Sequence, residues 1–141
     1  MKRKASAVWR GDLKSGKGNI NTDSGVLKDT QYSFSTRFEN GVGTNPEELI
    51  AAAHAGCFAM AFSAELGKVG LKPESISATA TVTLEMLPGG PTVTESHLDV
   101  TARVPGADKN KVLEVANGAK AGCPISRVLN AKVTMDANVE V

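Results

Sequence analysis

The sequence predicts an α+β fold: largely antiparallel sheets packed against a long central helix, in one domain spanning residues 1–141. Three observations lead there. Period-two alternation recurs in separate stretches near the start, in the middle and at the end of the chain. A run of small and apolar residues, too long for a strand, follows a strong helix-start signal at Asn45-Pro46. Strands and helices fall in segregated runs, which indicates helices covering one face of a sheet.

The first 37 residues alternate apolar and polar positions, broken at Gly11, at Ser15-Gly16-Lys17-Gly18 and at Ser24-Gly25, and read as a small antiparallel meander. Its last strand is expected over Tyr32-Ser33-Phe34-Ser35-Thr36-Arg37. The loop Gly41-Val42-Gly43-Thr44 then leads to Asn45-Pro46-Glu47-Glu48, in which Asn45 caps, Pro46 takes the first helical position and Glu48 completes a capping box at the third. The helix should run to about Lys68, ending at Gly67 or Gly70, before Pro73.

From Ile76 to Met86 the alternation is strict, with Ile76, Ala78, Ala80, Val82, Leu84 and Met86 on one face of a half-buried strand. After the Pro88-Gly89-Gly90-Pro91 turn, Leu98, Val100, Ala102 and Val104 repeat the pattern, and Val133, Met135, Ala137, Val139 and Val141 do so again. Between them a helix is expected from about Asp108 to Ala121, buried through Val112, Val115, Ala116 and Ala119, followed by a shorter one opening at Cys123-Pro124.

Composition narrows the function. With 16 basic and 15 acidic residues and no run of five like charges, the chain lacks the footprint of a nucleic-acid binder. Basic Met1-Lys2-Arg3-Lys4 runs into Ala5-Ser6-Ala7-Val8-Trp9-Arg10, unlike a signal peptide, so a cytoplasmic location is expected. Leu49–Phe62 is uncharged, but its length suits a buried core helix better than a bilayer, which needs about 20 apolar residues. No membrane partner is expected.

Two cysteines, Cys57 and Cys123, are too few for a disulfide scaffold and too far apart for a CxxC site. They are either inert core residues or redox chemistry. Cys57 lies about three turns into the helix, beyond the reach of its dipole, so a reactive thiolate there needs an explicit cation. Arg37 is the candidate cation, and Glu47, left free by the capping box, is a second candidate for the site. Cys123 precedes a proline at a helix start, where backbone N–H groups favour a thiolate, and Cys123-Pro124-Ile125-Ser126 has the CxxS form of some redox sites.

Weaker patterns compete. His54, Cys57, His97 and Cys123 make a two-Cys, two-His metal set on paper, although His97 lies on the polar face of its strand. His54 could instead serve Cys57 as a base in a hydrolase. Gly11 to Gly18 nearly spells a phosphate-binding loop but ends in Gly18 instead of a hydroxyl residue, and reads as strand-turn-strand.

Trp9-Arg10-Gly11-Asp12, Ser24-Gly25-Val26-Leu27, Thr36-Arg37-Phe38-Glu39, Gly43-Thr44-Asn45-Pro46-Glu47-Glu48-Leu49, Ala52-Ala53-His54-Ala55-Gly56-Cys57-Phe58 and Lys120-Ala121-Gly122-Cys123-Pro124 together resemble the OsmC branch of the OsmC/Ohr family of hydroperoxide reductases. The resemblance covers essentially the whole chain, in order. It implies a thiol-dependent peroxidase in which Cys57 attacks the peroxide, Cys123 resolves it as a disulfide, and Arg37, held by Glu47 in a bidentate pair, completes the site. It further implies an intertwined homodimer with active sites at the interface, organic hydroperoxides as preferred substrates, no metal or bound cofactor, and a dithiol reductant. Lipoyl dithiols serve the family, although the sequence does not show the reductant. Glu47 and Cys57 stand ten residues apart on one helix, roughly 15 Å along its axis, so something must bridge them. Two copies of the helix packed antiparallel about a two-fold near Ala52, on the small face of Ala52, Ala53 and Gly56, would place Glu47 of one chain beside Cys57 of the other. A helix kink or the reach of Arg37 is the competing explanation.

Overall fold

The computed structural model describes residues 1–141. The chain forms two compact units, residues 1–49 and 50–141.

In the first unit, β1 (Ala5–Arg10), β2 (Lys17–Thr22) and β3 (Thr30–Tyr32) form an antiparallel sheet in that order. The β1–β2 turn is tied by Asp12, whose carboxylate accepts from the Ser15 N–H at 2.7 Å while its carbonyl accepts from the Gly16 N–H. This is a strand-turn-strand, as expected for the near-miss phosphate loop. Gly18 is the register partner of both Trp9 and Tyr32. Their rings meet over it with centroids 5.4 Å apart, and a Cβ on Gly18 would collide with both.

The expected strand through Arg37 stops at Tyr32, and α1 (Phe34–Phe38) replaces the rest. Local hydrogen bonding decides this. Ser33 Oγ accepts from the Thr36 N–H at 3.2 Å and Thr36 Oγ1 accepts from the Ser33 N–H at 2.8 Å, a reciprocal capping box that fixes a helical turn. The serine and threonine spacing that looked like strand alternation is therefore a helix start.

The long helix α2 (Pro46–Lys68) begins where predicted. Asn45 Oδ1 accepts from the Glu48 N–H at 2.7 Å, and the Asn45 amide donates to the Thr36 carbonyl at 2.9 Å. Glu48 does not complete a capping box; its carboxylate accepts from the Thr44 hydroxyl at 2.8 Å. At the other end Gly70 takes φ +76° and Leu71 N–H donates to the Leu66 carbonyl, the left-handed stop that glycine allows at low cost.

In the second unit, β4 (Ser75–Leu87), β5 (Gly90–Arg103) and β6 (Lys132–Glu140) form a sheet in sequence order. The β4–β5 pair is antiparallel, whereas β5 and β6 run parallel, the one departure from the expected antiparallel pairing. The connection through α3 (Lys109–Gly122) and α4 (Pro124–Val128) supplies the crossover that a parallel pair requires. Asp108 caps α3 through the Asn110 N–H.

The core of this unit joins Phe58, Phe62 and Leu66 of α2 to Leu98, Val100 and Ala102 of β5, Val112, Ala116 and Ala119 of α3, and Val139 of β6. Burying each phenylalanine is worth about 1.5–3 kcal/mol. Val115 lies at its margin, and Met86, expected on the inner face, is exposed. The alternation holds through Leu84 and ends at the tip of the β4–β5 hairpin, where Met86 pairs with Pro91. By length and composition α2 is long and apolar enough to cross a bilayer, a measure that the core helix expected from the sequence also meets. In this fold it is a core helix, with Ala52, Ala53, Gly56 and Met60 exposed on the face away from Phe58 and Phe62.

Candidate active site

In the first unit, α1 presents Arg37 to Glu47 in the opening turn of α2. Arg37 Nε lies 2.6 Å from Glu47 Oε1, with the arginine side chain 38% and the glutamate 11% exposed. The expected bidentate pair is thus a single, short, charge-assisted bond. Because it uses Nε, the terminal guanidinium nitrogens remain for another ligand. Arg37 also stands over the Phe38 ring at 5.3 Å. Beside it Trp9, Leu13, Tyr32, Phe34 and Phe38 line an open pocket of about 240 Å³. This is an apolar recess with one cation at its wall, suited to a ligand with a hydrocarbon body and a polar end.

In the second unit, α2 and the α3–α4 junction bring the two cysteines together. Both are free thiols; Cys57 is half-buried and Cys123 fully buried, and they lie within hydrogen-bonding reach of each other. Cys123 is at once the last cap of α3 and the first of α4, because Pro124 cannot continue a helix but can begin one. Burial pushes the Cys57 thiol up, and the adjacent Cys123 adds to this, against a lowering contribution from the Ile125 backbone. Burial also acts against a Cys123 thiolate, but Cys57, the backbone of Ser126 and Ile125, and the Ser126 hydroxyl together bring its pKa below the usual thiol range. Burial and the neighbouring thiol thus work against a thiolate at Cys57, and an added cation would favour one.

His54, one helical turn before Cys57, is fully buried. Its Nδ1 lies 2.6 Å from Ser96 Oγ and its Nε2 2.8 Å from Ser126 Oγ, and burial alone lowers its pKa. With both ring nitrogens engaged by serines, His54 does not act as a base on Cys57. The paper metal set of His54, Cys57, His97 and Cys123 is not assembled either. His97 follows Ser96 and so faces the other side of β5, where its Nε2 lies 3.4 Å from Asp99 and 3.1 Å from Asp136. Those three side chains are close enough to share a metal ion, but they are remote from the thiols in character, an exposed polar face of the sheet.

Sequence reasoning missed two parts of this arrangement. Ser96 shares the inward parity of Leu98 and Val100, so a buried hydroxyl was foreseeable there, though not its partner. The aromatic recess draws on β1, β3 and α1, and nothing local in Trp9 or Tyr32 announces that they meet.

Residues 38–138 match the family model for OsmC-like protein. The chain is 49% identical to peroxiredoxin OsmC of Escherichia coli (strain K12), over 95% of this chain and 94% of that protein. It is 33% identical to the organic hydroperoxide resistance protein of Xanthomonas axonopodis pv. citri, over 66% of this chain and 64% of that one. The fold superposes on the crystal structure of OhrB of Bacillus subtilis with a TM-score of 0.68, 24% identity and coverage of 97% and 98%. Shared sequence over nearly the full length, together with the shared α+β architecture, establishes that this chain belongs to the OsmC family.

Proposed function

We propose that the protein is a cytoplasmic, cysteine-based peroxidase that reduces organic hydroperoxides to alcohols. The observation that carries this reading is the thiol pair: an accessible Cys57 against a buried Cys123, within reach of one another. An attacking thiol must meet substrate, whereas a resolving thiol need only meet the first sulfur. The names of the OsmC and organic hydroperoxide resistance relatives support the same chemistry.

In this mechanism Cys57, as thiolate, attacks the distal peroxide oxygen; the O–O bond breaks, the alkoxide takes a proton to leave as alcohol, and Cys57 becomes a sulfenic acid. Cys123 then displaces hydroxide from that sulfur to form a Cys57–Cys123 disulfide, releasing water. An external dithiol, of which a lipoyl group is one kind, returns both thiols by exchange. Arg37 supplies the cation that a Cys57 thiolate needs and donates to the peroxide, while Glu47 fixes its orientation. The aromatic recess beside Arg37 suits the hydrocarbon part of an organic hydroperoxide better than hydrogen peroxide.

The working unit is a homodimer. The exposed Ala52, Ala53 and Gly56 face of α2 lets a second copy approach closely about a two-fold near Ala52, bringing the Arg37–Glu47 pair of one chain to Cys57 of the other. Dithiol-dependent consumption of cumene hydroperoxide and hydrogen peroxide by wild type, Cys57→Ser and Cys123→Ser tests the proposal. Faster turnover of the organic peroxide is expected, abolished by Cys57→Ser and arrested at the sulfenic acid by Cys123→Ser. No turnover with any dithiol, or full activity in Cys57→Ser, would overturn it.

A further inference from the structure

His54 has no role in the cysteine cycle as set out above, yet it is the one titratable ring in the core of the second unit. Burying an imidazole costs free energy unless both nitrogens are satisfied, and an apolar side chain would fill the space without that demand. Both are satisfied, and by hydroxyls drawn from separate elements: Ser96 of β5 at 2.6 Å and Ser126 of α4 at 2.8 Å. Neither nitrogen has a carboxylate or cation partner. Ser126 stands three positions after Cys123, in the opening turn of α4 that Cys123 begins, and its hydroxyl and backbone favour the Cys123 thiolate. Ser96 and Ser126 thus hold His54 between them, and Ser126 ties it to the helix that carries Cys123.

We propose that His54 and Ser126 are positioning residues for Cys123, forming a hydrogen-bond relay that sets its protonation and thereby the rate of disulfide closure. The inference rests on the cysteine cycle proposed above. Ser96 O–H donates to His54 Nδ1 and His54 Nε2–H donates to Ser126 Oγ, which leaves the single Ser126 hydroxyl proton to donate to the Cys123 sulfur, most strongly when that sulfur is a thiolate. The imidazole stays neutral and keeps one tautomer, so the proton that Cys123 gives up does not enter the chain and is free to pass to the neighbouring sulfenic oxygen. That matches a ring whose burial disfavours the charged form.

The chemical step balances. The Cys123 thiolate attacks the sulfur of the Cys57 sulfenic acid, the S–S bond forms, and the S–O bond breaks with its electron pair on oxygen. The departing hydroxide takes up the proton that Cys123 gave up and leaves as water. Cys123 is oxidised and the sulfenic sulfur reduced, each to the disulfide level. The hydrogen-bond partners of His54 are Ser96 from β5 and Ser126 from α4, and burial alone lowers its pKa, so no charged group competes for its tautomer.

Two readouts test the relay. The first is the ultraviolet titration of the Cys123 thiolate in a Cys57→Ser background, alone and combined with Ser126→Ala, Ser126→Thr or His54→Asn. The second is single-turnover kinetics with cumene hydroperoxide in the otherwise wild-type chain, separating sulfenic acid formation from disulfide closure. Ser126→Ala and His54→Asn are expected to move the Cys123 titration to higher pH and to slow closure about tenfold, the scale of one lost hydrogen bond to a charged acceptor. Sulfenic acid formation should be unchanged, and Ser126→Thr, which keeps a hydroxyl, should titrate and close like the wild type. Should His54→Asn fail to fold, Ser126→Ala at a partly exposed site carries the test. A Ser126→Ala protein that titrates and closes as wild type overturns the relay. Absence of any sulfenic acid in the wild type would instead overturn the peroxidase reading, and the titration would still decide the relay by itself.

Discussion

Replacing Glu47 with glutamine keeps the side-chain shape and removes the charge that holds Arg37. The bond is short, 2.6 Å, but its partners differ in exposure, 38% for Arg37 and 11% for Glu47. Fully exposed pairs contribute about 0.2–1 kcal/mol, whereas breaking a buried pair costs about 3–5 kcal/mol. A pair buried on one side only belongs between these limits, at about 1–2 kcal/mol. If Arg37 contacts the peroxide, that loss appears as a roughly 5- to 30-fold lower kcat/KM for cumene hydroperoxide. The assay is a double-mutant cycle of Glu47→Gln, Arg37→Lys and the pair, with thermal unfolding measured alongside to separate catalytic from structural loss. Arg37→Lys keeps the charge but loses the planar fork. Because each substitution breaks the same contact, the pair should cost less than the sum, with a coupling of about 1–2 kcal/mol. Wild-type kcat/KM in Glu47→Gln, or additive losses in the double variant, would refute the reasoning that Glu47 acts through Arg37.

Gly18→Ala places a methyl group where the Trp9 and Tyr32 rings meet and must displace one of them. The aromatic recess beside Arg37 should then deform, lowering kcat/KM for organic hydroperoxides more than for hydrogen peroxide; an unchanged ratio between the two substrates would show that the recess does not select the hydrocarbon. The pH dependence of stability follows from His54, whose pKa in the folded chain lies below the 6.5 of an unhindered imidazole. The unfolded chain therefore binds the extra proton first, so stability is full above about pH 6.5 and falls as the pH drops from there toward the lowered folded value. Urea midpoints measured across that interval should decline in the wild type and flatten in His54→Asn, and equal slopes in the two proteins would contradict the assignment.

Much of this architecture was readable residue by residue because the signals were local. Asn45-Pro46 announced the start of α2, and Gly70 its left-handed end, because capping and φ-permissive stops depend on side chains within a few positions. The parity of Leu98, Val100, Ala102 and Val104 placed the inner face of β5 correctly, since strand geometry alternates with period two. Where sequence reading failed, the deciding contacts were either ambiguous or distant. Ser33 and Thr36 fit both a strand's alternation and a reciprocal cap, and hydrogen bonding chose the cap. Met86 keeps the parity of the inner face but lies at the exposed tip of the β4–β5 hairpin, and the parallel pairing of β6 depends on how α3 and α4 carry the chain back. The single bond between Arg37 and Glu47, in place of a fork, depends on how α1 is set against the start of α2. His54 was noticed, but its serine partners stand 42 and 72 positions away.

The closeness of Cys57 and Cys123 has a consequence outside catalysis. They are 66 positions apart in the chain, and a disulfide between them would close a loop through most of the second unit. In the chain-entropy account, such a crosslink destabilises the unfolded ensemble by about 4 kcal/mol. For a protein of this size that corresponds to a rise in melting temperature on the order of 10 °C. The oxidised molecule would thus resist heat and proteolysis better than the reduced one, and a cell that exhausted its reductant would accumulate the sturdier form. The melting temperature of the purified protein would serve as a record of the peroxide it had met.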